Sequence, residues 1–509
     1  MTRRIRASAV LAVLALTVAG CARPAPASPA PQAGQDGAAA RRGGEPQGVR
    51  PYRTVIPATA ESRHGLFSVH RVDEKLFFEI PASELGRDLL VVQRTAAGGN
   101  STGFFGGGPT YVVAFERLDD RILLRRRSFG ITADSTAAIA QAVEALNYGP
   151  IIASFDVASW GADSAAVIDV TKLFTTNVTE LVAVEQIQAD RSFIETFAVF
   201  PENVNVEATQ TGSEAAPQTP GGFGGGPNNR RITVTERASW SFLKLPEDPM
   251  MPRLHDRRVG LASIQHVDYS RPEHEATSRR YIRRYRLEKR NPSAEVSDAV
   301  EPIVFWVDRA TPEWLVPYVL QGVDDWEPAY REAGFSNAIA GRLAPSPAED
   351  PDFSLLDARR SVIYWRPSEV PNATGGQIVD PRTGEILKAE VNMYHNVMNL
   401  LRNWYFTQVG PLDPRAQKLP LPDDLMGKLI QYVAAHEVGH TLGFQHNMKA
   451  SSMYTIAQVR DPKWVKENGH TPTLMDYSRF NYVAQPEDRI DVEDLIPKIG
   501  PYDKWATMW

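Results

Sequence analysis

The stretch AHEVGHTLGFQHN at 435–447 closes a helical pattern running over Asp423–Leu442, and this pairing sets how the rest of the chain is read. On a helix, His436 and His440 lie about 40° apart around the axis and about 6 Å apart along it. Two imidazoles on one face at that spacing can reach a single metal ion. Glu437 is turned about 100° from His436, so it can address a water at the metal without being a ligand. Gly443 stands where a helix ends in a left-handed turn that glycine makes cheaply. That turn would bring His446 back toward the same ion. Three neutral imidazoles with a fourth position open describe a catalytic Zn2+ site rather than a closed structural one. Two other readings compete: an amphipathic helix with satisfied core histidines, and a site whose third ligand is a distant acid such as Glu467. The placement of Gly443 and His446 favours the three-histidine set.

Around this helix, the chain beyond Asn291-Pro292 mixes helix and strand. Pro312–Phe335 reads as helical, with Leu315, Val319, Val323 and Trp326 near one face, while Pro317 and Pro328 must kink or shorten it. Strand patterns follow at Ser361–Trp365, Gln377–Val379 and Ile386–Met393, the last two joined as a hairpin across the turn at 380–385. A further helical pattern covers His395–Phe406. That order predicts an α+β catalytic domain over 300–509. Ahead of it, short alternating runs such as Leu66–Val72, Leu76–Ile80, Leu89–Gln93, Tyr111–Phe115, Ile122–Arg126 and Ile232–Phe242 predict β-rich regions. They divide into a small segment at 51–97 and a domain at 98–295. Glycine-rich stretches at 98–110 and 219–229 lack the Gly-Lys-Ser/Thr and helix of a phosphate-binding loop and read as hairpin tips. The basic run RRYIRRYRLEKR at 279–290 alternates like a strand and reads as a solvated sheet face.

The chain has 509 residues, 43% hydrophobic and 23% charged, enough for more than one buried core. A formal net charge of −6 argues against a protein that coats nucleic acid. Its single cysteine, Cys21, excludes intramolecular disulfides and cysteine-rich zinc modules. Cys21 follows an export layout: Arg3, Arg4 and Arg6, then the apolar run Ala9–Val18, too short to span a membrane, then small residues. The Val-Ala-Gly-Cys ending resembles a bacterial lipobox, which implies a signal peptide over 1–20 and lipidation of Cys21. An ordinary signal peptide with an incidental cysteine is the competing reading. Residues 21–50, rich in Pro, Ala and Gly, read as a tether. The expected location is the bacterial cell envelope, by lipid anchor.

HEVGHTLGFQH resembles the zinc-binding signature of the metzincin metallopeptidases. The resemblance implies a twisted sheet, a backing helix, an active-site helix and a methionine turn beneath the metal, matched by Thr473-Leu474-Met475-Asp476-Tyr477. It implies Met475 as an apolar floor and Tyr477 as a transition-state hydrogen-bond donor. Met453, seven residues past His446, is a rival for the turn, with Tyr454 beside it. By the same resemblance, Ile386–Val391, with Ile386, Lys388 and Glu390, is the sheet-edge strand that would bind extended substrate by strand addition. More narrowly, the chain from Pro302 onward is similar to large bacterial exported zinc metallopeptidases. The similarity runs through VDRATPEWLVPYV, VDPRTGEI, MYHNVMNLLR, LPDDLM, NYVAQPED and IGPYDKWA. Members of that family continue further, so a C-terminal part is expected beyond Trp509. The expected function is hydrolysis of protein or peptide substrates by zinc-activated water, with Glu437 as general base. The alternative is a surface-tethered scaffold lipoprotein that keeps the fold without turnover. His395 and His470 are expected in structural or rim roles.

Overall fold

The computed structural model describes residues 49–98, 107–215, 231–270 and 275–509. The expected signal segment, Cys21, most of the tether and the glycine-rich stretches at 99–106 and 216–230 lie outside the described residues. None of the described helices is long and apolar enough to cross a membrane.

The alternating runs between 61 and 244 form antiparallel strands of one sheet. Strands on both sides of residue 98 belong to it: Leu89–Gly98 pairs with Gly107–Leu118 on one side and with Arg231–Lys244 on the other. The sheet curls until its ends meet, where Arg71 Nη2 donates to the carbonyls of Ile194 and Glu195, each at 2.9 Å. Strand alternation turns one face inward. There Phe67, Phe78, Phe115, Phe174, Trp240 and Phe242 are fully buried against one another, the dominant apolar surface removed from water in this half.

Two long strands have no clear apolar alternation. Asn203–Ala215 buries Asn203, Asn205 and Gln210 in its course. They are tolerated because each finds a partner: Asn205 Nδ2 donates to Leu356 O at 2.8 Å, Asn203 Oδ1 accepts from Ala358 N at 3.1 Å, and Gln210 Nε2 donates to Phe174 O at 2.8 Å. Ile151–Trp160 is the second such strand.

The C-terminal half is built on a five-stranded sheet in the order Ile339–Leu343, Ile303–Val307, Ser361–Arg366, Ile386–Tyr394, Ala373–Val379. The first four strands are parallel, and Ala373–Val379 runs antiparallel at the edge. The two prolines break the helical pattern of 312–335 as expected, into Val316–Asp324 and Glu327–Glu332. Each proline stands in the first turn of its helix, where a missing N–H leaves no bond unmade. The long helix Asp423–Thr441 packs on the first of these at Gly322, where an added Cβ would lie 2.7 Å from Gln431 O. Trp326, fully buried, donates its Nε1–H to Ala435 O at 2.9 Å.

The curled sheet packs on this half through Leu90, Val92, Val112 and Leu243 against Ala358 and Ile378. The basic run departs from the solvated sheet face expected of it. Strand Thr277–Ile282 ends inside the run, and the residues beyond cross the C-terminal half. There the Tyr285 hydroxyl meets Ser361 Oγ at 3.2 Å and Arg286 binds Glu385 through two contacts of 2.8 and 2.9 Å. The partners that draw it in are far away in sequence, so local alternation carries no sign of them.

Candidate metal centre

Helix Asp423–Thr441 presents His436 and His440, and Gly443 ends it at φ +109°. No other residue type takes that conformation cheaply, and an added Cβ would also lie 2.5 Å from Arg283 O. The turn returns His446 to the helix face. The Nε2 atom of His446 then lies 3.2 Å from Nε2 of His436 and 2.9 Å from Nε2 of His440.

The protons decide what these atoms can be. His436 Nδ1 faces Leu474 O at 2.9 Å, and His440 Nδ1 faces Phe444 O at 2.9 Å. A carbonyl accepts only, so each Nδ1 carries the hydrogen and each Nε2 is left as a bare lone pair. Lone pairs converging at this distance repel unless a cation lies between them. Burial, helped by neighbouring His440, drives His436 down to about 3, and burial drives His446 down to about 4. His436 and His446 are therefore neutral near neutral pH, the form in which an imidazole nitrogen can bind a metal. Zinc bonds of about 2.0–2.1 Å in a tetrahedron place nitrogens roughly 3.3 Å apart, close to the observed separations. The three donors fit zinc. Among the described residues this is the one cluster of His, Cys, Asp or Glu with ligand atoms mutually within 4.8 Å. Glu467 is not part of it and lies on helix Pro462–Asn468.

Glu437 is 8% exposed and lies beside the cluster, in the same cleft as His440 and His446. Burial pushes its carboxyl up to about 7, against a hydrogen bond from the Gly375 backbone and the charge of Arg479, which both favour ionisation. A carboxylate balanced there can take a proton and give it back.

Beneath the histidines, Met475 is fully buried, and a Cβ on Gly439 would lie 2.5 Å from its Sδ. Methionine and helix meet only because position 439 has no side chain. The rival Met453 is 73% exposed, and Tyr454 packs on Trp464 instead. Tyr477 is partly exposed, its ring centroid 4.2 Å from that of His446, with the Arg479 guanidinium carbon 3.8 Å from the same Tyr477 ring centroid. The segment is held by Asp503, a fully buried carboxylate that accepts from the Thr473 hydroxyl, from Leu474 N at 2.8 Å and from Gly500 N at 2.8 Å. His395 takes a hydrogen bond from Trp365 Nε1, and His470 faces Arg479 O at 3.1 Å; neither reaches the cluster.

One expectation is corrected. Ile386–Val391 is not an edge: strand Ile386–Tyr394 is hydrogen-bonded on both sides. Ile386 is buried, Lys388 Nζ donates to Leu355 O at 3.0 Å, and Glu390 is held by Arg94 at 2.5 Å. The edge strand is its hairpin partner Ala373–Val379. That strand lines a cleft of about 730 Å³ together with Glu437, His440, His446 and Tyr477. Gly375 lies where a Cβ would be 2.6 Å from Glu437 O, and Gln377 Nε2 donates to His440 O at 2.7 Å. Sequence reasoning missed Gly375, Gln377, Arg283 and Asp503. The hairpin at 380–385 was readable, but not which of its strands forms the open edge of the sheet.

Residues 418–509, which include the three histidines, Glu437, Met475 and Tyr477, match a family described as Met-zincin. Residues 107–290 match a domain of unknown function (DUF5117), and residues 49–98 match another (DUF5118). No curated protein and no solved structure matches the chain.

Proposed function

We propose that the chain is a zinc metalloendopeptidase of the metzincin type, with its catalytic region over 300–509 and the β-rich part ahead of it, 51–295, as its companion. The convergence of the Nε2 atoms of three histidines, two of them left as bare lone pairs, beside a buried carboxylate carries the proposal. Zinc held by His436, His440 and His446 would supply Lewis acidity toward a water and the scissile carbonyl.

The chain's own groups do the rest. Glu437 takes a proton from the attacking water and returns it to the leaving amine, two transfers suited to a carboxyl with a proton affinity near neutrality. The Gly375 N–H keeps that carboxylate aimed into the cleft. The free edge of Ala373–Val379 binds the substrate backbone as an added strand, which holds the scissile bond extended beside the histidines. Tyr477 donates its phenolic hydrogen to the developing oxyanion. Leu474 O fixes the orientation of His436, and Met475 packs beneath the helix at Gly439.

Export and lipidation at Cys21 complete the proposal, on the strength of the Val-Ala-Gly-Cys ending. Cleavage of casein by the purified chain, abolished by a chelator and restored by zinc, tests the activity. No turnover under any metal condition would instead favour the non-catalytic scaffold.

A further inference from the structure

Several part-buried arginines in this protein are matched to acids. Arg286 holds Glu385, Arg382 holds Asp380, Arg415 holds Asp413 and Arg359 holds Asp357, each through contacts under 3 Å. Arg283 is not, and neither is its neighbour Arg284, which instead donates from Nη2 to Met251 O at 2.9 Å. The Arg283 Nε is buried with no hydrogen-bond partner, and among the described residues no carboxylate pairs with it. Among the described residues its one polar side-chain contact is Nη1 to Gln377 Oε1 at 3.5 Å, long for a hydrogen bond. Burial without a counter-charge also holds the guanidinium below the usual arginine value.

Its position is fixed. Arg283 N donates to Ala262 O at 2.8 Å, Ala262 N donates to Gly443 O at 2.7 Å, and Arg283 O sits against Gly443 itself. The backbone of Arg283 is thus tied to the turn that delivers His446. Its side chain lines the cleft, and Gln377 links it to the carbonyl of His440. The remaining cleft wall is uncharged, with Asn372, Thr374, Gln445 and Phe444, and among the described residues Glu437 is the only acid lining it.

We propose that Arg283 is a carboxylate-binding subsite, so that the cleft selects peptides carrying an acidic group within its reach. The proposal rests on the peptidase reading and deepens it. It also gives the region matching a domain of unknown function a role, since that region supplies this wall of the cleft. A guanidinium presents paired donors that match a carboxylate's two oxygens. The carboxylate is either an Asp or Glu side chain or the C-terminal carboxylate of the peptide.

The test uses the zinc-loaded full chain and matched peptides with Glu or Gln at each position around the cleaved bond, made with a free acid or an amide at the C-terminus. One acidic member is expected to exceed its neutral twin in kcat/KM by roughly ten- to a hundredfold. A preference following the Glu/Gln arm identifies a side chain; one following the acid/amide arm identifies the peptide terminus. In Arg283→Gln the ratio should fall close to one, and Arg283→Lys should retain part of it. Wild-type protein that cleaves peptides without either preference would overturn the proposal, as would a preference that survives in Arg283→Gln. Cleavage of no peptide at all would defeat the peptidase reading instead. Fluorescence anisotropy with the same labelled peptides then judges Arg283 separately: equal binding of acidic and neutral twins by wild type overturns it.

Discussion

Asp503 lies 30 and 29 residues from Thr473 and Leu474, two of the three groups it holds, and removing it should be felt at the metal. In Asp503→Ala, the Thr473 hydroxyl and the N–H groups of Leu474 and Gly500 lose their acceptor in a site closed to water. Each such donor left unpaired costs about 1–3 kcal/mol. Against this, burial pushes the Asp503 carboxyl up to about 6 from an ordinary 3.8, and removing an ion so placed returns about 3 kcal/mol at pH 7. The net loss at pH 7 is about 3 kcal/mol. The sign of its pH dependence follows from the raised value. The folded protein keeps this proton longer than the unfolded chain, so wild type loses stability as pH rises from about 4 to about 6. The variant lacks that loss, so its deficit should be largest near pH 4 and shrink by about 3 kcal/mol above pH 6. Urea unfolding of the zinc-free protein across that range measures it. Leu474 O, which orients His436, moves with the loosened turn, so zinc affinity should fall roughly ten- to a hundredfold by chelator competition. Wild-type zinc affinity together with a pH-independent deficit would refute the reasoning.

Glu437→Ala should keep zinc and fold while losing nearly all turnover; in wild type, kcat/KM should rise with pH as Glu437 loses its proton, at or below about 7, and a flat profile there would count against it as base. His446→Ala should weaken zinc binding itself, and normal affinity by elemental analysis would place the third ligand elsewhere. Tyr477→Phe should lower kcat by roughly tenfold to a thousandfold with little change in melting temperature, because the ring is partly exposed; Tyr454→Phe, packed on Trp464, is the control. Cys21→Ser should abolish labelling by a fatty-acid probe, and equal labelling of both proteins would remove the lipid anchor.

The parts of this protein legible in its sequence are those whose partners are close along the chain. His436 and His440 share a helix face by periodicity alone, and Gly443 marks the end of that helix through a conformation only glycine takes easily. Both prolines that had to shorten the pattern at 312–335 do so, and the hairpin around 380–385 forms as its turn residues indicate. In the curled sheet, apolar alternation marks most strands, because half of each side chain set faces the aromatic core.

Tertiary structure decided the rest, because the deciding contacts join residues far apart in sequence. Which strand of the hairpin stays unpaired depends on Ser361–Arg366 taking the other side of Ile386–Tyr394, and that choice moves the open edge to Ala373–Val379. Asn203–Ala215 reads as polar, yet it is buried because Leu356 and Ala358, in a loop of the C-terminal half, satisfy the amides of Asn205 and Asn203. Arg283 looks like one more cation in a solvated run until Gly443 and Gln377 close around it. A local pattern records what a residue prefers; burial and pairing by distant groups record what it is made to do, and only the folded chain brings those groups together.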